Sequence, residues 1–432
     1  MNKTEIKKKW IFISLLSLAL SGAYSIFIVM LRAPILTNLF PDKSIFQTCL
    51  IIHVDLSVLF WMVCFAMIHI SDYLEAKYDY LVKFLQNLLI ISVCMIFLSP
   101  FFGESEPYMN NYIPILHNLL FIIALAFFIS VYFIVNILGV FSSKYESVSL
   151  SILGLAILLS FFISAIKLSR LSYPLDQYNF YETLFWGGGH LLQFLYCSGL
   201  IVAFAKFFEN NKQVIGSQFF LIFNTLCALP LPIIQAFLPV DSDSYFSLYT
   251  EHMKIFGAIS PICFIFAIMI SNILPSKDVF CSHVSSAKSI ESLKSYSFIF
   301  SSLLFGSGGV LALLIDSSNV KIPAHYHGSI VGISIAFMGY IYLMVDKIYG
   351  KINYKQSIIQ LALYSFGQLV HILSLSYAGG YGALRKTPGV DLPANVKIAM
   401  GFMGAGGLIA IISGLLFLHI CYKRIYNNIY LE

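Results

Sequence analysis

Twelve stretches of about twenty or more apolar residues divide this chain, each long enough to cross a bilayer. They lie near 11–31, 46–70, 81–102, 113–141, 148–168, 183–207, 217–239, 252–274, 294–315, 325–347, 355–377 and 396–421. Only 11% of the 432 residues are charged and 59% are hydrophobic, against about 25% charged in soluble domains. No soluble core can absorb that much apolar surface. The sequence therefore predicts an all-α integral membrane protein of about twelve helices, one transmembrane domain over residues 1–432. Pro230 and Pro232 interrupt the seventh stretch, which a span tolerates when neighbours re-satisfy the backbone.

The start, with Lys3, Lys7, Lys8 and Lys9 ahead of an apolar run, reads as a retained first helix rather than a cleaved signal peptide. By the positive-inside rule those lysines put the N-terminus in the cytoplasm. Twelve crossings return the C-terminus there, beside Lys423 and Arg424. With that alternation, 17 of the 26 Lys and Arg residues fall on the inner side and 9 on the outer. The net charge of +5 thus reflects orientation and gives no ground for nucleic-acid binding. The eight cysteines form no Cys-x-x-Cys, which excludes a covalent c-type haem motif.

Orientation turns ten histidines into a pattern. His53, His117, His190, His252, His325, His327 and His371 fall toward the outer ends of six helices. His69, His283 and His419 fall at inner ends or in an inner loop. Imidazole is a common ligand for haem iron and suits copper and zinc, and ionisable groups inside a bilayer are functional candidates by default. His325-Tyr326-His327 sits near the start of the tenth stretch. Two residues apart on a helix is about 200°, so one helix can serve a metal centre on each flank. His190 follows Gly187-Gly188-Gly189; the glycines leave room for a neighbouring helix or a flat macrocycle. The loop after the eleventh stretch is Gly-rich and ends in Arg385-Lys386, a cation pair on the side where the positive-inside rule disfavours it.

Taken together these residues resemble subunit I of the haem–copper oxidase superfamily, which includes cytochrome c oxidases and nitric oxide reductases. The resemblance covers the whole chain, with motifs in the second, sixth, tenth and eleventh helices, and implies a subunit I-like bundle. It implies that His325 is the axial ligand of a high-spin, oxygen-reactive haem. His327 and His53 would be the two axial ligands of a low-spin haem. His190 would bind the copper called CuB, and Arg385 and Lys386 would hold haem propionates. The implied cofactors are two haems, their type undetermined by sequence, and a copper.

The chain departs from the family in places. The family adds two CuB ligands as an adjacent His-His pair on the seventh helix, and this sequence has no His-His. His252 is the substitute, with His117 or Glu251 as further completions. The family's tyrosine four residues after the sixth-helix histidine is here Phe194; Tyr196, Tyr245 and Tyr249 are the alternatives. The expected function is a respiratory terminal oxidase subunit that reduces oxygen to water at His325, His190 and His252. A nitric oxide reductase-like enzyme, a haem electron carrier or assembly factor lacking CuB, and a cofactor-free transporter stand as alternatives. Membrane lipid, an outer-face electron-donor subunit or cytochrome and a hetero-oligomer are the expected partners. The expected location is the bacterial inner membrane.

Overall fold

The computed structural model describes residues 3–31, 43–209, 216–273, 289–316, 319–383 and 393–430. Among them are twelve helices long and apolar enough to span a membrane. They are α1 (Lys3–Leu31), α2 (Lys43–Asp72), α3 (Ala76–Phe101), α4 (Leu119–Val140), α5 (Tyr145–Leu168), α6 (Gln177–Phe207), α7 (Ser217–Gln235), α8 (Asp243–Ser271), α9 (Ile290–Ala312), α10 (Lys321–Tyr349), α11 (Tyr354–Gly380) and α12 (Ala394–Asn428). The expected number and order of spans hold. Pro230 bends rather than ends α7, which turns at Leu229 and continues to Gln235. α8 is broken at Gly257.

The fourth stretch differs from expectation at its start. Residues 113–118 are not helical. β2 (Ile115–His117) pairs antiparallel with β1 (Glu106–Tyr108), with Glu106 opposite His117. The helix begins after Asn118, whose side chain accepts from the Leu120 and Phe121 amides. An Asn in extended backbone with its oxygen on those amides is a helix start signal. His117 therefore belongs to a hairpin, not to the first turns of a span.

The chain forms two compact units. The first comprises Met1–Tyr24, Asp42–Val202 and Ile215–Phe264. Within it α3 packs on α4, α4 on α5, and α5 on α7. Lys3 pairs with Asp79 at 3.0 Å and Lys7 with Asp72 at 2.7 Å, fixing the start of α1 to the turn between α2 and α3. The second comprises Ser25–Pro41, Ala203–Val214 and Ile265–Glu432. There α9 packs on α10, α10 on α11, and α11 on α12. Two of these approaches are close enough to need glycine. A Cβ at Gly308 would meet the Ser329 amide at 2.2 Å, and one at Gly367 the Gly406 carbonyl at 2.7 Å.

α2 is not a uniform α-helix: Asp55–Phe60 is a π-helical segment. A π segment adds one residue to a turn and is frequently found at functional sites. α1 meets it with a buried serine face of Ser14, Ser17 and Ser21. Their spacing of three and four puts them on one side of the helix. Ser17 Oγ donates to the Leu56 carbonyl at 2.6 Å, supporting a backbone group inside the π turn.

Candidate functional site

In the first unit, His53 stands at the end of the α-helical part of α2, two residues before the π segment. Ser21 Oγ donates to the His53 carbonyl at 2.9 Å. His53 Nδ1 lies 2.9 Å from Ser21 Oγ and 3.1 Å from the Ser21 carbonyl. The carbonyl can only accept, so Nδ1 carries the proton and Nε2 keeps the lone pair. In the second unit, His325 Nδ1 lies 2.8 Å from the Gly308 carbonyl, and His371 Nδ1 lies 2.9 Å from the Met403 carbonyl. These rings adopt the same tautomer for the same reason. An imidazole held through Nδ1–H on a carbonyl, with Nε2 as donor, is the usual form of a metal-ligating histidine. His327 packs edge-to-face against His371, with ring centroids 4.7 Å apart. The donor set of His53 and His325 thus suits haem iron, which takes imidazole axial ligands.

His190 in α6 is held differently. Its Nδ1 lies 2.7 Å from the Trp186 carbonyl, one turn back. Its Nε2 lies 2.9 Å from the Tyr112 hydroxyl, which donates to it. Both ring nitrogens are therefore engaged, and the residue is 1% exposed. Tyr112 is presented by the β1–β2 hairpin. Asn110 Oδ1 accepts from the Tyr112 and Ile113 amides at 3.1 and 2.9 Å. Glu182 of α6 accepts from the Asn111 amide at 2.9 Å.

The three glycines before His190 are filled by rings of this chain rather than by a neighbouring backbone. A Cβ at Gly187 would lie 2.9 Å from the Tyr249 ring, one at Gly188 2.2 Å from Phe161, and one at Gly189 2.2 Å from Tyr112. The missing methyl groups make room for these rings and, at Gly187, for the Ser160 hydroxyl, 2.6 Å from where a Cβ would lie.

His252 in α8 uses the opposite nitrogen. Its Nε2 lies 2.7 Å from the Cys227 carbonyl, which leaves Nδ1 with the lone pair. Glu251 pairs outward with Lys254 at 2.6 Å. Among the described residues no group of three or more His, Cys, Asp or Glu side chains is placed to hold a metal ion. A three-ligand copper centre does not fit the residues around His190, because the nitrogen it needs accepts the Tyr112 proton. Arg385 and Lys386 lie outside the described residues.

Of the tyrosines named from sequence, Tyr245 and Tyr249 belong to a buried hydrogen-bond network. Tyr249 donates to Gln235 Oε1 at 2.5 Å, and Gln235 Nε2 donates to Ser164 Oγ at 2.8 Å. The Tyr245 hydroxyl accepts from the Gly187 amide at 3.0 Å. Tyr196 is 2% exposed. Tyr112, whose hydroxyl reaches His190, was not legible, because nothing in the sequence ties a loop residue to a helix seventy-eight positions away. Asp55 was also missed. Its carboxylate is buried and has no hydrogen-bond partner among the described residues. An Asp inside Ile51-Ile52-His53-Val54-Asp55-Leu56 is itself the signal, since ionisable residues in a span are costly.

This arrangement of twelve spans is the fold of a haem–copper terminal oxidase subunit I. The chain superposes over its full length on 84% of a chain of a solved haem–copper terminal oxidase dimer, with TM-score 0.68 and 15% identity. By sequence it belongs to a family with the uncharacterised protein RP382 of Rickettsia prowazekii (strain Madrid E), with which it is 32% identical across 98% of this chain and 97% of that one. An uncharacterised protein of Aquifex aeolicus (strain VF5) is 24% identical over 78% of the chain and 84% of its own length. No family model matches.

Proposed function

We propose that the chain is the haem-carrying subunit of a membrane oxidoreductase of the terminal oxidase type. His53 and His327 would hold a low-spin haem and His325 a high-spin haem. Bound haem iron supplies electron transfer and oxygen binding, and the protein supplies ligands, orientation and electrostatics. The observation that carries this reading is the shared tautomer of His53 and His325, each with Nδ1–H on a backbone carbonyl. The Ser21 and Gly308 carbonyls fix the ring planes and raise the basicity of Nε2. With both haems bound, the electron donor would be a subunit or cytochrome on the outer face and the substrate would be oxygen. Arg385 and Lys386 would hold the haem propionates, as guanidinium and ammonium groups do carboxylates. The assembly is a hetero-oligomer in the bacterial inner membrane, with both termini cytoplasmic.

A second reading has its own observation. Tyr112 on His190 Nε2 occupies the nitrogen that a CuB ligand would use. A subunit with haem and no copper would relay electrons without reducing oxygen itself.

Haem and copper content per chain, with a reduced-plus-carbon-monoxide difference spectrum, separates the two. Two haems with a carbon monoxide shift support oxygen chemistry at His325. Two haems without the shift support the electron carrier. Absence of haem overturns both.

A further inference from the structure

The two histidines of α10 meet different neighbours. His325 is held toward α9, through the Gly308 carbonyl at 2.8 Å. His327 lies about 200° further round the helix and meets α11. There its ring packs against that of His371, with centroids 4.7 Å apart and planes at 63°. All of these residues belong to the second unit. The proposed haem ligation uses His325 and His327 and leaves His371 without a role.

His371 is itself locked in place. Its Nδ1–H is donated to the Met403 carbonyl of α12 at 2.9 Å. That carbonyl lies one turn before Gly407, whose amide is its ordinary helical partner. A carbonyl oxygen has two lone pairs, so it can accept from both. The glycines of α12 make the approach possible. A Cβ at Gly406 would lie 2.7 Å from the His371 backbone nitrogen, and one at Gly407 3.4 Å from Nδ1.

An imidazole bound to iron through one nitrogen can turn about that bond unless something holds its plane. Groups that orient a ligating histidine are a regular part of such sites. His53 has the Ser21 hydroxyl and carbonyl for this. At His327 the group in place is a second imidazole. A ring pair set edge to face is a preferred aromatic arrangement, and it resists rotation of either ring. Because Nδ1 of His371 is engaged by Met403, that ring does not turn to follow its neighbour.

We propose that His371 is a positioning residue for His327, setting the plane in which that ring presents its nitrogen to haem iron. The proposal rests on the haem reading. The restraint runs from the Met403 carbonyl of α12 through His371 of α11 to His327 of α10, so three helices fix one ring.

The test uses the full chain purified with its haems and read by electron paramagnetic resonance. In low-spin ferric haem with two imidazole ligands, the position and width of the low-field signal depend on the angle between the ring planes. His371→Ala should shift and broaden that signal and lower haem retention by about tenfold. His371→Phe keeps a flat ring beside His327 and loses the bond to Met403, so its signal should fall between the two. Leu373→Ala, 60% exposed on the same helix, should leave the signal as in the wild type. An unchanged signal in His371→Ala, where His327→Ala has lost the low-spin haem, overturns the inference and leaves the functional reading standing. Loss of the low-spin haem in His371→Ala with its retention in His327→Ala makes His371 the ligand and overturns the inference. A wild type with no low-spin haem overturns the functional reading and this inference with it. If His371→Ala does not fold, His371→Phe decides, and a signal identical to the wild type overturns the inference.

Discussion

Ser21 engages His53 at both backbone and ring: its hydroxyl donates to the His53 carbonyl at 2.9 Å and lies 2.9 Å from Nδ1. One small side chain on α1 thereby sets the rotation of a ring on α2. With the Ser21 carbonyl at 3.1 Å, Nδ1–H has two acceptors and no reason to turn away.

On the proposed haem ligation, removing that hydroxyl should loosen His53 without unfolding the helix. Groups that orient a ligating histidine are worth about 10–100-fold in metal affinity. Ser21→Ala is expected to lower haem retention by about tenfold and to broaden the low-spin electron paramagnetic resonance signal. Ser17→Ala, which releases only the Leu56 carbonyl, should leave that signal sharp.

The two histidines of α10 should be separable by spectrum. His327→Ala is expected to remove the low-spin haem and keep carbon monoxide binding. His325→Ala should abolish the carbon monoxide shift and leave a six-coordinate low-spin spectrum. Haem quantification by pyridine haemochrome beside the difference spectrum checks both. Identical spectra from the two variants would refute the division of ligands.

Gly189 is the position where a single methyl group should disturb the His190 region. Its Cβ would lie 2.2 Å from the Tyr112 ring. Overpacking of this kind costs about 1–3 kcal/mol. Tyr112→Phe loses one buried hydrogen bond, with a penalty of about 1–3 kcal/mol for the partner left unsatisfied. Combined in one chain they should cost less than the sum, because both act on the same contact. Thermal unfolding in detergent measures this, and full additivity would show that the ring and the hydroxyl act independently.

The first turn of α6 should respond to acid. Asp176 Oδ1 accepts from the Asn179 amide at 3.0 Å, and this interaction holds the carboxyl below its ordinary value. A depressed folded pKa means the cap's contribution is complete above the unfolded value, about 3.9, and lost as pH falls through the folded one. Hydrogen exchange at the Asn179 amide should therefore stay slow from neutral pH down to about 4 and quicken below it. Asp176→Asn should remove the pH step.

Much of the fold was legible because hydropathy over twenty residues is a coarse and strong signal. The spans near 148–168 and 183–207 match α5 and α6 at their ends. The misreading of 113–118 arose where apolar residues serve a hairpin instead of a helix. Ile115 and Leu116 are fully buried on β2, and the sequence sign of the true start, Asn118, lay inside the apolar run. At the candidate site, the residue types at His53, His325 and His327 were readable, but their partners were not. Gly187-Gly188-Gly189 announced space, and only coordinates could say that Tyr249, Phe161 and Tyr112 fill it.

The π segment Asp55–Phe60 makes α2 behave like a ratchet with one tooth too many. Deleting any single residue within it would let the turn relax to ordinary α geometry, at little change in hydropathy or length. His53 and every residue after Phe60 would keep close to their present rotation, because a π turn takes one extra residue through about the same angle. A membrane helix can thus carry one residue more than an even count allows, with both flanks still aimed as before and a single looser turn between them.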